Sequence, residues 1–145
     1  MGAMSNGTIR PARLCTGLFL LALASAAAFP ACDKKGYRQG EALYRQYCAN
    51  CHMEDGTGLK GNIPPLAGSD YLRNNAVSIA CVIRYGLNEP ITVNGKTYDQ
   101  PMAGIPKLNE FEIANLINYI HHSWGNDLGY VSLEKVRSAL DTCKE

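Results

Sequence analysis

Cys48, Cys51 and His52 lie within five residues of one another, in the run QYCANCH. Two thiols at that spacing with an imidazole beside them suit three kinds of chemistry. A disulfide-exchange pair opens a helix in a βαβ unit and needs a reactive, lowered thiol. A zinc site needs four ligands, usually with a second Cys/His cluster. Here the other candidates are scattered at Cys81, Cys143 and the adjacent His121 and His122. The third reading is the attachment signature of c-type haem, Cys-x-x-Cys-His. Two thiols reach the two vinyl groups on one edge of the porphyrin, and the neighbouring histidine reaches the iron from one face. This motif closes a helix-permissive stretch instead of opening one, which favours haem.

Haem iron has a second axial position, and its ligand decides the chemistry. The candidates are Met53, Met102, His121 and His122. Met53 follows His52 directly and cannot reach round to the opposite face. The two histidines fall late on a predicted helix, where one or both are expected to be solvated or surface-bonded. Met102 sits in YDQPMAGIPKL, a stretch bounded by proline and glycine and far enough from the haem motif to cross the distal face.

The elements that must position these residues can be read locally. GEALYRQYCANC is helix-permissive, with Leu43, Tyr44 and Tyr47 on one side. GTGLKGNIPPL then breaks it. A second short helix fits NNAVSIACVIRYG, with Val77, Ala80, Cys81, Arg84 and Tyr85 along it. PITVNGKTY reads as a hairpin turning at Asn94-Gly95. A third helix begins at Asn109, with Glu112 completing a capping box and Ile113, Leu116, Ile117 and Ile120 as its apolar face. SLEKVRSAL gives a last helix capped by Ser132, with Leu133, Val136 and Leu140 on one side. The chain is expected to be mainly α, with one small hairpin before the Met102 loop. So small a domain buries little apolar surface alone, and a covalent haem would complete its core.

The first part of the chain has a different character. Arg10 and Arg13 precede LCTGLFLLALASAAAF, an uncharged run of about 16 residues with the layout of a secretory signal. A membrane span needs about 20. Cys32 follows one small residue, Ala31, and begins the polar run CDKKG, which resembles a bacterial lipoprotein processing site, although Phe29 and Pro30 depart from the usual residues before such a cysteine. The expected organisation is a signal over 1–31, a tether over 32–37, a haem domain over 38–126 and a helical extension over 127–145. If haem takes Cys48 and Cys51 and lipid takes Cys32, the exported product keeps Cys81 and Cys143. These either pair, clipping the final helix onto the second, or remain buried thiols. Without Arg10 and Arg13 the product has 12 basic and 13 acidic residues, so steering by net charge is weak. No basic run or phosphate-cradling glycine loop suggests nucleic acid.

Taken together, GEALYRQYCANCH, IPPLAGSDYL, VIRYGLNEPITVNGKTYDQPM, LNEFEIANLINYIHHSWGN and VSLEKVR resemble class I mono-haem cytochromes c, close to the small haem domains of bacterial respiratory complexes. The resemblance runs from about Tyr37 to about Leu140. It implies a cytochrome c fold of three to five helices around one covalent haem c. It also implies that Gly40 and Tyr44 sit where the first helix crosses the one bearing Tyr119. Pro64 or Pro65 would offer a carbonyl to Nδ1–H of His52, and His52 with Met102 would ligate the iron. Two departures stand out: Met53 replaces the usual glycine after the motif histidine, and Ala103 the usual proline after the distal methionine.

A haem so ligated transfers electrons at its exposed edge near Cys48 and Cys51. The implied setting is the periplasmic face of a bacterial membrane, with a lipid anchor at Cys32. A quinol-oxidising complex or terminal oxidase would be the redox partner. The competing classes are a haem peroxidase and a gas or redox sensor with a labile Met102. A peroxidase usually carries more than one haem motif, and a sensor an attached signalling domain.

Overall fold

The computed structural model describes residues 1–2 and 36–143. The signal-like run, Cys32 and most of the tether lie outside the described residues.

Helix α1 (Arg38–Tyr47) buries Gly40 and Tyr44, four residues apart and so on one face. At Cys48 the backbone leaves regular helix, and a single turn, α2 (Ala49–His52), follows. The stretch expected as one helix is thus divided within the haem motif. A further turn, α3 (Asp70–Asn74), was not anticipated. Ser69 caps it by accepting from the Leu72 amide at 3.2 Å. The two single turns bring the helices among the described residues to six.

Helix α4 (Ile79–Tyr85) starts later than the pattern suggested. Its buried residues are Ile79, Ala80 and Ile83, while Val77 and Tyr85 are exposed. The turn over residues 75–78 leaves Val77 before the helix, not along it as the sequence suggested.

Strands β1 (Gly86–Leu87) and β4 (Met102–Ala103) pair antiparallel, Gly86 opposite Ala103 and Leu87 opposite Met102. The Met102 segment, expected to be irregular, is therefore pinned to the end of α4. A Cβ on Gly104 would stand 2.6 Å from the Arg84 carbonyl oxygen, so this approach requires glycine. Strands β2 (Ile91–Val93) and β3 (Lys96–Tyr98) form the hairpin. Asn94 and Gly95 have φ of 51° and 75°, both positive as a type I′ turn demands. Asn94 also exchanges two hydrogen bonds with Asp70, of 2.7 and 3.1 Å, tying the hairpin to α3.

Helix α5 (Glu110–His121) opens with the expected capping box: Asn109 accepts from the Glu112 amide at 3.0 Å, and Glu112 from the Asn109 amide at 2.8 Å. Ile113, Leu116, Ile117 and Ile120 are all buried. Gly40 lets α1 cross this helix closely, since a Cβ there would lie 2.6 Å from Cβ of Tyr119.

Helix α6 (Leu133–Thr142), capped by Ser132, buries Val136, Ala139 and Leu140 against α4 and α5. Cys81 and Cys143 are joined by a disulfide, their Cα atoms 6.0 Å apart. Asn118, buried on α5, donates to the Val131 carbonyl and accepts from its amide, each at 2.8 Å. This side chain pins the segment leading into α6.

Candidate haem-binding site

The site begins where α1 gives way to α2. Cys48 is buried, Cys51 one turn on is exposed, and both are free thiols. Burial, with Cys51 adding to it, pushes the Cys48 thiol up to about 12. A disulfide-exchange motif needs the opposite shift. His52 closes the turn and is only 8% exposed. Burial lowers its pKa from 6.5, partly offset by a hydrogen bond to Pro64, so the ring is neutral and able to ligate.

Nδ1 of His52 lies 3.1 Å from the Pro64 carbonyl oxygen. Of the two prolines considered from the sequence, Pro64 provides the contact. A donor Nδ1–H fixes the tautomer, leaving Nε2 with the lone pair an iron would take. The chain reaches this geometry through a tight return. The Gly58 amide donates to the His52 carbonyl at 3.1 Å, and a Cβ on Gly58 would lie 2.6 Å from the Pro64 carbonyl oxygen. Only glycine lets the loop fold back this closely, and its φ of 69° is one that glycine adopts freely.

Beyond Pro64 the loop is secured by Asn126, a residue to which the sequence assigned no role. Its side chain donates to the Leu66 and Ile120 carbonyls at 3.0 and 2.9 Å and accepts from the Gly68 amide at 2.8 Å. It thus ties the proline loop to the end of α5.

Immediately after His52, Met53 adopts φ 62° and ψ 158°. This region is essentially glycine's, and a side chain there costs on the order of 1–3 kcal/mol. The departure from the usual glycine therefore carries backbone strain.

Met102 is half-buried on β4 opposite Leu87. His122 is exposed, with Nδ1 2.9 Å from the Asn118 carbonyl oxygen, in line with a surface-bonded histidine. His121 differs: it is fully buried, with Nδ1 3.0 Å from the Gly129 carbonyl oxygen and Nε2 without a partner.

The donor set fits a covalent haem: two unbridged thiols, a neutral imidazole with its tautomer held, and a thioether on a constrained strand. The stretch Ile63–Leu66 (Ile, Pro, Pro, Leu) is only partly covered, leaving apolar surface beside the Pro64 carbonyl.

Comparison with known proteins agrees with this chemistry. The family model for cytochrome c matches residues 37–124. Cytochrome c-552 of Thermus thermophilus is 36% identical over 91 residues, 60% of this chain and 69% of that protein. The cytochrome c subunit of the quinone alcohol dehydrogenase of Gluconobacter oxydans is 34% identical over 106 residues, 71% of this chain. The fructose dehydrogenase cytochrome subunit of Gluconobacter japonicus is 31% identical over 104 residues, 68% of this chain. The matches cover only 22% and 21% of those two subunits. The chain belongs to the cytochrome c family, in its class I form. Its cofactor is a covalent, iron-containing c-type haem, and its function is electron transfer.

Proposed function

We propose that this chain is a mono-haem electron carrier or electron-transfer subunit, tethered by lipid at Cys32 to the periplasmic face of a bacterial membrane, with His52 and Met102 as iron ligands. The observation that carries the ligation is the buried His52 ring, its Nδ1 on the Pro64 carbonyl and its Nε2 left for the metal. Cys48 and Cys51 would form the two thioether links. When bound, the haem supplies one-electron chemistry between ferrous and ferric iron, and a thioether ligand favours the ferrous state.

The protein's own contribution is to hold these ligands still. Pro64 fixes the histidine tautomer and raises its basicity. The β1–β4 pairing restrains the Met102 backbone, which limits reorganisation between oxidation states. Exposed Cys51 marks the edge at which a partner would approach, through the kind of small interface used by redox encounters. The similarity to dehydrogenase cytochrome subunits supports a redox complex as partner, whether dehydrogenase, quinol-oxidising complex or terminal oxidase. Residues 1–31 would direct export, 32–37 form the tether, 38–126 the haem domain and 127–145 the extension.

The test is the visible spectrum of the haem-loaded protein, oxidised and reduced, with carbon monoxide added to the reduced form. A low-spin spectrum unchanged by the gas is expected, with ready binding after Met102→Ala. Rapid binding by the unaltered protein would overturn Met102 ligation and bring a sensing or peroxidase role forward. For the anchor, Cys32→Ser should release the protein from bacterial membranes. Retention of that variant would argue against lipid at Cys32.

A further inference from the structure

Two successive carbonyls of the turn after His52 are each held by an aromatic donor from elsewhere in the fold. The Tyr44 hydroxyl donates to the Met53 carbonyl at 2.6 Å, and Nε1–H of Trp124 donates to the Glu54 carbonyl at 3.0 Å. The Tyr44 and Trp124 rings are in contact, with centroids 4.9 Å apart. Tyr119 completes the cluster at 5.4 Å from Tyr44 and 5.6 Å from Trp124. Tyr44 is fully buried, so its hydroxyl cannot turn to water instead. Burial also raises its pKa well above the usual phenol range, which keeps it a donor.

The residue so held is the strained one. Such a backbone conformation persists only where the surroundings over-determine it. The Met53 carbonyl accepts from the Gly56 amide at 3.2 Å as well as from Tyr44. The turn then closes back on His52 through the Gly58 amide, beside the Pro64 carbonyl.

We propose that Tyr44, supported by Trp124, is a positioning residue for His52: its hydroxyl holds the Met53 peptide in a glycine-like conformation and thereby keeps the His52–Pro64 hydrogen bond in place. This rests on His52 being the axial ligand. Removing the hydroxyl lets the Met53 peptide rotate toward an ordinary conformation, and the Pro64 bond loosens. A less basic imidazole stabilises ferric iron less, so the reduction potential rises. A glycine at position 53 adopts the conformation without strain, so the hydroxyl is no longer needed to oppose rotation of that peptide.

The experiment compares the haem-loaded protein with its Tyr44→Phe, Met53→Gly and doubly substituted forms, by reduction potential and urea denaturation. Tyr44→Phe keeps the ring and its packing. It should lower the folded-to-unfolded ratio roughly five- to tenfold, the scale of one hydrogen bond, and shift the potential upward. In the Met53→Gly background the same change should still cost stability, yet leave the potential where Met53→Gly alone puts it. An unshifted potential in Tyr44→Phe would overturn the proposal and leave Tyr44 a packing residue. An equal shift in both backgrounds would overturn it too, because the effect would not pass through the Met53 peptide. Should Tyr44→Phe fail to fold, Trp124→Phe takes its place, with an upward shift in the Met53 background alone as the expected result. The spectrum of the unaltered protein is read first: without the bands of a histidine-ligated c-type haem, the His52 reading fails and this proposal with it, whereas a missing methionine band alone bears on Met102.

Discussion

His52 and Pro64, twelve positions apart, meet through Nδ1 and a carbonyl oxygen at 3.1 Å, and Gly58 is the residue that lets them do so. A Cβ at position 58 would lie 2.6 Å from that same carbonyl oxygen. The hydrogen bond thus depends on a missing side chain.

Gly58→Ala should therefore act on electronics as well as stability. The added carbon displaces the Pro64 carbonyl, and the alanine must also adopt φ 69°, each costing about 1–3 kcal/mol. The reduction potential should rise as the histidine loses basicity. Spectroelectrochemistry checks the shift, and a potential equal to that of the parent would show that the Pro64 bond does not tune the iron.

Gly40→Ala tests the helix crossing. Alanine improves intrinsic helix propensity by about 1 kcal/mol, but here its Cβ meets Cβ of Tyr119 at 2.6 Å and the Asn115 carbonyl more closely still. Neither neighbour is a flexible side-chain tip, so α1 must move away from α5. A net loss of about 1–3 kcal/mol is expected from overpacking, seen as a drop of several degrees in thermal midpoint. A more stable variant would show that the crossing tolerates the extra carbon.

The disulfide closes a separation of 62 residues between Cys81 and Cys143. The chain-entropy model puts its worth near 4 kcal/mol, and measured bridges commonly give about 2–4. Replacing both cysteines by serine should lower the urea stability of the ferrous protein by that amount and abolish any further loss on adding a thiol reductant. The haem spectrum should be unchanged, since the bridge joins α4 to the end of α6. A reductant effect that survived in the double variant would have to arise elsewhere.

His121 predicts a pH dependence. Burial lowers its pKa below the ordinary 6.5, with the nearby His122 acting the same way and the Gly129 hydrogen bond opposing both. On acidification the unfolded chain therefore takes up a proton before the folded one does. His121's contribution is complete above about pH 6.5 and is lost as pH falls through the folded pKa, at no more than about 1.4 kcal/mol per pH unit. His121→Gln should flatten the stability–pH curve in that window. A curve of unchanged slope would assign the acid sensitivity to another group.

Local chemistry was legible wherever a few adjacent residues settle a structure. The capping box at Asn109 and Glu112, the Asn94-Gly95 turn and the Ser132 cap all formed at the expected places. Each involves groups within three or four positions of one another, so no distant partner can overrule it. The start of α4 was placed too early because the residues at 75–78 form a turn, which periodicity cannot register. The β1–β4 pair escaped notice for another reason. Two-residue strands carry no alternation, and their partners lie 15 or more positions apart.

The amino-acid sequence alone determined the kind of cofactor, because Cys-x-x-Cys-His places two haem-linking thiols and one iron-ligating imidazole by covalent connectivity. It also carried the longer helices and the caps, Asn109 and Ser132, that start two of them. Tertiary structure decided what surrounds those groups. It chose Pro64 over Pro65 as the contact for His52, buried His121 while leaving His122 exposed, and set Met53 under strain beneath the Tyr44 hydroxyl. It likewise made Asn118 and Asn126 the ties between α5 and its neighbouring loops. The physical reason is common to all of these: each depends on a carbonyl or ring brought close by helix crossing and loop closure, and such proximity is a property of the packed chain rather than of any short stretch of it.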